Sequence, residues 1–204
     1  MITHLYALAH RLRDGLPVLW QLIERANASL FRLRYARKLE HVEHEAFAMA
    51  EPYEMKRIAD IPTAELVQFF HNQPDELYRW FTPHGFEAAD VANLQRNASF
   101  LAYVLRRNGQ IVGYFFLRSY FNGVCYFGRM VDYRNTHQGI GTLINRISFH
   151  IAESLRMESY QTIAKDNVAS IKSCARAYRL QPVSTTANGD ILYKNCKLET
   201  LQTV

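Results

Sequence analysis

Met130-Val131-Asp132-Tyr133-Arg134-Asn135-Thr136-His137-Gln138-Gly139-Ile140-Gly141-Thr142-Leu143 decides the fold: an apolar strand end gives way to polar residues, and a G-x-G turn opens a helix. The helix is read over residues 139–156, because Leu143, Ile144, Ile147, Ile151 and Leu155 recur at helical spacing. Glycines at its entry let a ligand approach the backbone. The first amides of a helix have no internal acceptor and lie at the positive end of its dipole. Such a terminus suits a pyrophosphate and needs no lysine. A G-x-G alone marks many ordinary helix entries, so its surroundings must decide between the two readings.

Upstream, residues 100–107 and 110–120 read as strands around Asn108-Gly109, a favoured hairpin pair. Asn122-Gly123 makes a second such turn before a third strand over 124–132. Before this meander come a strand over 54–60 and a helix over 62–71, opened by proline. An irregular aromatic loop over 72–87 and a short helix over 88–96 follow. Downstream, the pattern predicts a strand over 159–164 and a helix over 167–178. A last hairpin, 183–186 with 190–195, turns at Asn188-Gly189. The order is mixed α/β (α+β): a mixed central sheet with an antiparallel meander, flanked by helices.

The chain has 204 residues, 49% of them hydrophobic and 13% aromatic, which is ample for a packed core and excludes wholesale disorder. Cys125, Cys174 and Cys196 are too few and too scattered for a disulfide framework or a zinc site. No segment has the run of about 18 apolar residues that a spanning helix needs, and the N-terminus lacks a signal-peptide core. A soluble cytoplasmic protein is expected. Residues 1–50 read as an amphipathic helical segment, with Leu5, Leu8, Leu12, Leu16, Leu19, Leu22, Ile23, Ala26, Leu30 and Leu33 in one stripe. Gly15-Leu16-Pro17 is read as a break in it, and residues 40–53 as a mixed stretch ending in a linker at Glu51-Pro52. Most of the net charge of +5 falls in residues 1–40, where seven basic groups meet Asp14, Glu24 and Glu40. No reading motif for nucleic acid accompanies them. Three roles are open to this stripe: packing on the core, homodimerisation, or contact with an anionic membrane surface. Packing or dimerisation is the preferred expectation.

Residues 54–196 resemble the GNAT superfamily of N-acetyltransferases from first strand to last. In that family the fourth strand runs into a Q/R-x-x-G-x-G/A turn that holds coenzyme A, and Gly139 and Gly141 fall on its glycines. Thr136 stands where the Gln or Arg is usual, and Arg134 or Gln138 is the candidate to compensate. The resemblance implies acetyl-CoA as acyl donor, with Met130 and Val131 offering backbone groups to its pantetheine arm. It gives Gln138, Ile140 and Thr142 the phosphate contacts through their amides. The second signature is Asp166-Asn167-Val168-Ala169-Ser170, whose asparagine touches the pantetheine chain and whose Ser170 lies one turn on. Helix capping by Asp166 or Asn167 explains the same residues without a ligand.

The family's general acid is a tyrosine in this helix. Its usual place is Cys174, read here as a small buried residue, so Tyr178, one turn further on, is the candidate, against a packed core tyrosine. The acceptor side is expected in the loop around Tyr78, Arg79, Trp80, Phe81 and His84, with His84 or water as base. Tyr126 and Arg129 lie on the last meander strand. Arg129 is read as either an acceptor contact or a surface ion pair. His41, His44 and Glu45 read as a solvated face rather than a metal site. The implied reaction is metal-free transfer of acetyl to a primary amine, with the Val131 amide facing the oxyanion. Runs such as Tyr126-Phe127-Gly128-Arg129-Met130-Val131-Asp132 also resemble acyltransferases encoded with bacterial surface-polysaccharide genes. That implies a small-molecule acceptor, an amino sugar or a nucleotide-linked one. A protein or peptide acetyltransferase and a non-catalytic acyl-CoA-binding module are the alternatives.

Overall fold

The computed structural model describes residues 17–198, and the meander is its centre. Asn108 and Gly109 both take positive φ, 53° and 78°, the geometry that lets a two-residue turn follow the twist of its strands. Around the turns lie β2 (Phe100–Arg107), β3 (Gln110–Ser119) and β4 (Val124–Val131). β1 (Glu54–Arg57) is shorter than the pattern predicts, because residues 58–60 tighten into a 3-10 turn. The aromatic loop after α2 (Thr63–His71) contains one helical turn, α3 (Asp75–Tyr78), and leads to α4 (Ala88–Arg96).

After the glycine turn come α5 (Ile140–Ser154), β5 (Glu158–Ile163), α6 (Val168–Ala175), β6 (Arg179–Thr185) and β7 (Ile191–Cys196). The seven strands are ordered β1-β2-β3-β4-β5-β7-β6. Every pairing is antiparallel except β4 with β5. β6 reaches further back than residue 183, so α6 ends earlier than the apolar spacing suggests.

Both faces of the meander are covered, which is why its strands read as nearly continuous apolar runs. Leu101, Tyr103 and Leu105 face a core shared with α5, while Phe100, Ala102 and Val104 face Leu66, Phe70 and Val91 from α2 and α4. Gly128 is required by packing, since a Cβ there would lie 2.3 Å from the Phe116 ring.

The N-terminal segment departs most from expectation. The described helix α1 (Pro17–Met49) runs without a break through residues 40–49, the part that reads as mixed in sequence. Its docked face is Asn27, Phe31, Tyr35, Val42, Glu43, Ala46 and Ala50. All five of these apolar residues join the same core as β2, β3 and α5, so the described helix is not a separate body. Asn27 donates to Ser99 Oγ and Ser119 O, each at 3.0 Å, and accepts from Phe121 N. Two polar residues thus interrupt the buried stripe and hide it from an apolar periodicity. The described part of the leucine stripe is on the opposite face: Leu22, Ile23, Leu30 and Leu33 are exposed, so of the two preferred roles these residues do not take packing on the core. Leu5, Leu8, Leu12, Leu16 and the Gly15-Leu16 half of the expected break lie outside the described residues.

Candidate functional site

The parallel pair β4–β5 is the site's foundation. The strands pair at Val124 with Glu158, Cys125 with Ser159 and Tyr126 with Tyr160, and no further. Beyond Tyr126 they part, and the backbone edge of residues 127–131 faces a wedge instead of a neighbouring strand. A cavity of ≈ 640 Å³ fills the wedge, lined by residues 127–131, 139–142, 161–164 and 167–170. The aromatic loop adds Leu77, Trp80 and Phe81 to its wall.

At the mouth, Gly139 is the N-cap of α5 with φ 81°, a left-handed conformation that L side chains adopt with strain. A Cβ there would meet nothing within 4 Å, so the turn is open above. The first backbone bond of the helix runs from Leu143 N–H to Gly139 O at 3.0 Å. The amides of residues 140–142 are left for a ligand. Gly141 lies deeper, its Cβ position 3.1 Å from Ser173 Oγ and 3.9 Å from Arg129 Nε.

Asp132 fastens the approach to this turn. Fully buried, it accepts from Arg134 N, Nε and Nη2 and from Gln73 Nε2. Burial alone would raise its pKa, but the hydrogen bonds outweigh it and hold the carboxyl below its ordinary value. Arg107 ties the next residues down, donating to Asn135 Oδ1 at 2.5 Å and Gln138 Oε1 at 2.9 Å. Arg134 and Gln138 were the candidates to replace the Gln or Arg missing at Thr136, and both side chains are engaged elsewhere. The amide of residue 138 still lies at the turn.

Met130 and Val131 line the wedge, but Met130 has its side chain buried under α2 and its backbone groups turned toward β3 by the register that pairs it with Tyr114, so of the two only Val131 presents its amide to the opening. Asn167 does two things at once. Its Oδ1 caps α6 by accepting from Ser170 N at 3.0 Å, while the residue lines the wedge. Capping and ligand contact are therefore compatible. Ser170 Oγ accepts from Arg129 Nη2 at 3.0 Å, and the same nitrogen lies 3.5 Å from Cys174 Sγ. Arg129 is thus neither a surface ion pair nor free: it spans from β4 to α6 across the wedge floor. Lys172 and Arg176, one helical turn apart on α6, add two exposed cations to the rim. Their i, i+4 spacing after Asn167 is the signal that the sequence offers for them.

Two expected catalytic residues lie elsewhere. Tyr178 is fully buried and does not line the wedge. Its hydroxyl accepts from Gln161 Nε2 at 2.8 Å and donates to Asn145 Oδ1 at 3.3 Å, and burial pushes its pKa well up. A hydroxyl so engaged has no path to a departing thiolate, which corrects the acid role expected for Tyr178. Cys174, buried beside it, is the small packed residue expected.

His84 is half-buried among Phe70, Phe81, Phe86, Phe100, Tyr114 and Phe116 rather than in the wedge. Nδ1 lies 2.8 Å from the Gly85 carbonyl oxygen and so carries the hydrogen. Nε2, 2.9 Å from the Tyr114 hydroxyl, then accepts from it. The lone pair needed for base catalysis is already used, which corrects the role expected of His84. Burial lowers its pKa to about 4. The unfolded imidazole takes its proton near 6.5, so between pH ~6.5 and ~4 the unfolded chain binds more protons and stability is lost as the pH is lowered. Above that window the contribution is complete. Thermal melts should show His84→Phe losing about 2 kcal/mol less than the parent chain between those limits. Parallel pH profiles for the two proteins would refute a neutral, packed His84.

Across the wedge, Arg79 forms an ion pair with Asp166, and Trp80 Nε1 donates to the same carboxylate at 3.2 Å. The aromatic loop is thereby latched to the turn that presents Asn167. Sequence alone does not separate Trp80 and Phe81, which line the wedge, from Tyr78 and Phe86, which do not.

No family model and no curated protein matches the sequence. Solved structures do match. Aminoglycoside acetyltransferase AAC(6')-Ib, solved with paromomycin and acetyl-CoA, aligns at 16% identity over 74% of this chain and 99% of its own, with a TM-score of 0.57. The GNAT domain of PAT from S. lividans aligns at 12% identity, covering 70% of this chain and 89% of its own, with a TM-score of 0.59. RimJ from Mycobacterium smegmatis, solved with CoA-disulfide, gives 15% identity, 70% and 79% coverage, and a TM-score of 0.56. At such identities the likeness speaks for architecture. With the parted β4–β5 pair and the open glycine turn already in place, the conclusion is that this chain has the GNAT fold.

Proposed function

We propose that this protein transfers an acetyl group from acetyl-CoA to a primary amine. The reading is carried by one observation: β4 and β5 separate after Tyr126 and Tyr160, directly beside a helix N-terminus whose amides at residues 140–142 are unspent. The wedge fits coenzyme A chemically. Its free strand edge can pair with an extended amide chain, and its rim presents helix amides, Lys172 and Arg176 to phosphates. When bound, acetyl-CoA supplies an activated thioester.

The chain's own contributions are positioning and charge. The Val131 amide lies at the strand end where an oxyanion would form, and Arg129 supplies positive charge on the wedge floor. Arg129 replaces, by charge stabilisation, the acid that buried Tyr178 does not provide. Proton removal from the amine falls to water, since His84 points elsewhere. Most of the acceleration then comes from holding two substrates in attack geometry.

For the acceptor, an amino sugar is the reading favoured by Trp80 and Phe81, aromatic faces on the wedge wall that stack on flat or sugar rings. A protein or peptide amine is the second reading, since an open-sided wedge admits an extended chain. An acyl-CoA-binding module without turnover is the third, favoured by the buried Tyr178.

Free-thiol release from acetyl-CoA, measured against amino sugars, nucleotide-linked amino sugars, aminoglycosides and peptides, separates the three. The expected outcome is turnover on an amino sugar. Arg129→Gln should cut that turnover by about 100-fold while changing acetyl-CoA affinity less than tenfold. Binding without turnover on every amine would replace the enzyme reading with the module.

A further inference from the structure

The leucine stripe of α1 is left uncovered among the described residues. At about 100° per residue, Leu22, Ile23, Ala26, Leu30 and Leu33 fall within an arc of about 100°, roughly opposite the docked Phe31 and Tyr35. Leu33 is 86% exposed, Leu22 55% and Leu30 44%, which is unusual for three leucines on one face. The stripe is roughly 17 Å long from Leu22 to Leu33.

Its borders are basic. Arg25 and Arg32 line one edge, Arg34 lines the other, and Arg37 closes the C-terminal end. Among the described residues, no acid pairs with Arg25, Arg32, Arg34 or Arg37. Glu24 is turned to Asn97, 3.2 Å away, and Glu40 lies two turns beyond Leu33. Arg34 Nη1 donates to the Phe121 carbonyl at 2.7 Å, which holds that exposed phenylalanine beside the stripe as a further apolar contact.

We infer that this face of α1 docks on an anionic lipid bilayer, with the leucines and Phe121 in the acyl boundary and the arginines at the headgroups. Charge decides between a membrane and a second copy of the chain. A two-fold dimer through this stripe would bring two arginine-bordered edges together, setting like charges against each other around an apolar seam. An anionic headgroup layer gives each guanidinium a partner, and arginine stems bury their methylenes while the charge stays at the surface.

The geometry leaves the wedge free. Asn27 and Arg34 touch Ser119 and Phe121, beside the start of β4, whereas the glycine turn follows its end. Docking at one end of the strand therefore leaves the other end open to substrates. The inference is independent of the acetyl-transfer reading.

Co-sedimentation of the full chain with vesicles tests it, using phosphatidylcholine alone and phosphatidylcholine mixed equally with phosphatidylglycerol. Binding is expected on the mixed vesicles only, and it should weaken in high salt. Leu30→Glu with Leu33→Glu should reduce partitioning by at least about tenfold. Arg25→Gln with Arg32→Gln should reduce it by roughly fivefold per arginine. Both pairs lie on exposed positions, so unchanged thermal melting and acetyl-CoA binding confirm that the fold is intact. The inference is overturned by equal binding to neutral vesicles, by no binding to either kind, or by full binding of the leucine variant. It is also overturned if the lipid-free chain proves to be a dimer that Leu33→Glu dissociates, for then a second copy covers the stripe.

Discussion

Gly139→Glu is expected to weaken acetyl-CoA binding by at least about 100-fold, or about 3 kcal/mol, while leaving the protein folded. Gly139 caps α5 with φ 81° and has open space where a Cβ would stand. Strain from a side chain at that φ is of order 1–2 kcal/mol, which an exposed turn survives. The larger effect is electrostatic. A carboxylate at the N-cap lies at the positive end of the helix, where it competes for the amides of residues 140–142 and repels a phosphate. Gly139→Asn separates the two causes, because asparagine tolerates the left-handed region and carries no charge. Titration calorimetry should find Asn within about fivefold of the parent and Glu without measurable heat. An equal loss in both variants would assign the effect to backbone strain. Parent-like affinity in Gly139→Glu would remove the glycine turn from the site altogether.

The parts of this protein that were legible in its sequence are those written in local chemistry. Asn108-Gly109 announces its two-residue turn, Asn122-Gly123 marks the next one, which closes over residues 121–123 instead of two, and β2 is found over the residues its apolar run predicts. The apolar spacing of Ile144, Ile147 and Ile151 places α5 to within two residues at either end. Gly139, Gly141 and Asn167 do converge on one wedge. What was illegible depends on three-dimensional neighbours. The docking face of α1 uses Asn27 and Glu43, whose partners are 72 and 14 residues away, so no periodicity of apolar residues could display it. Tyr178 sits one turn from Cys174, yet its hydroxyl turns inward because Gln161 and Asn145 meet it there. His84 looked like a base in a loop. A cage of aromatic rings from four different segments makes it a neutral core residue instead. Arg129 is the reverse case: on the sequence it stands between an acceptor contact and a surface ion pair, and only the parting of β4 from β5 gives its guanidinium an interior to occupy.

Glu43→Ala should lower stability by about 2–3 kcal/mol, through loss of the buried contact that fixes the C-terminal half of α1. The Glu43 side chain is 3% exposed, and its carboxylate faces both Nε and Nη2 of Arg57, with Nε at 2.9 Å. It also accepts from the Tyr103 hydroxyl at 2.7 Å. Breaking a fully buried ion pair costs about 3–5 kcal/mol, because the remaining charge is stranded. Here Arg57 is 48% exposed, and a cavity of ≈ 510 Å³ opens beside it, so the freed guanidinium can turn to water. Tyr103 cannot follow. It is 1% exposed, and its orphaned hydroxyl carries most of the loss, about 1–3 kcal/mol, with the truncated glutamate stem supplying the rest. For a chain of this size the melting temperature should fall by roughly 5–10 °C. A double-mutant cycle identifies the cause. Tyr103→Phe should cost about 1 kcal/mol in the parent and nearly nothing, or a small gain, in Glu43→Ala, because there the hydroxyl has already lost its acceptor. If the two losses simply add, Tyr103 does not depend on Glu43, and α1 is held by its apolar contacts alone.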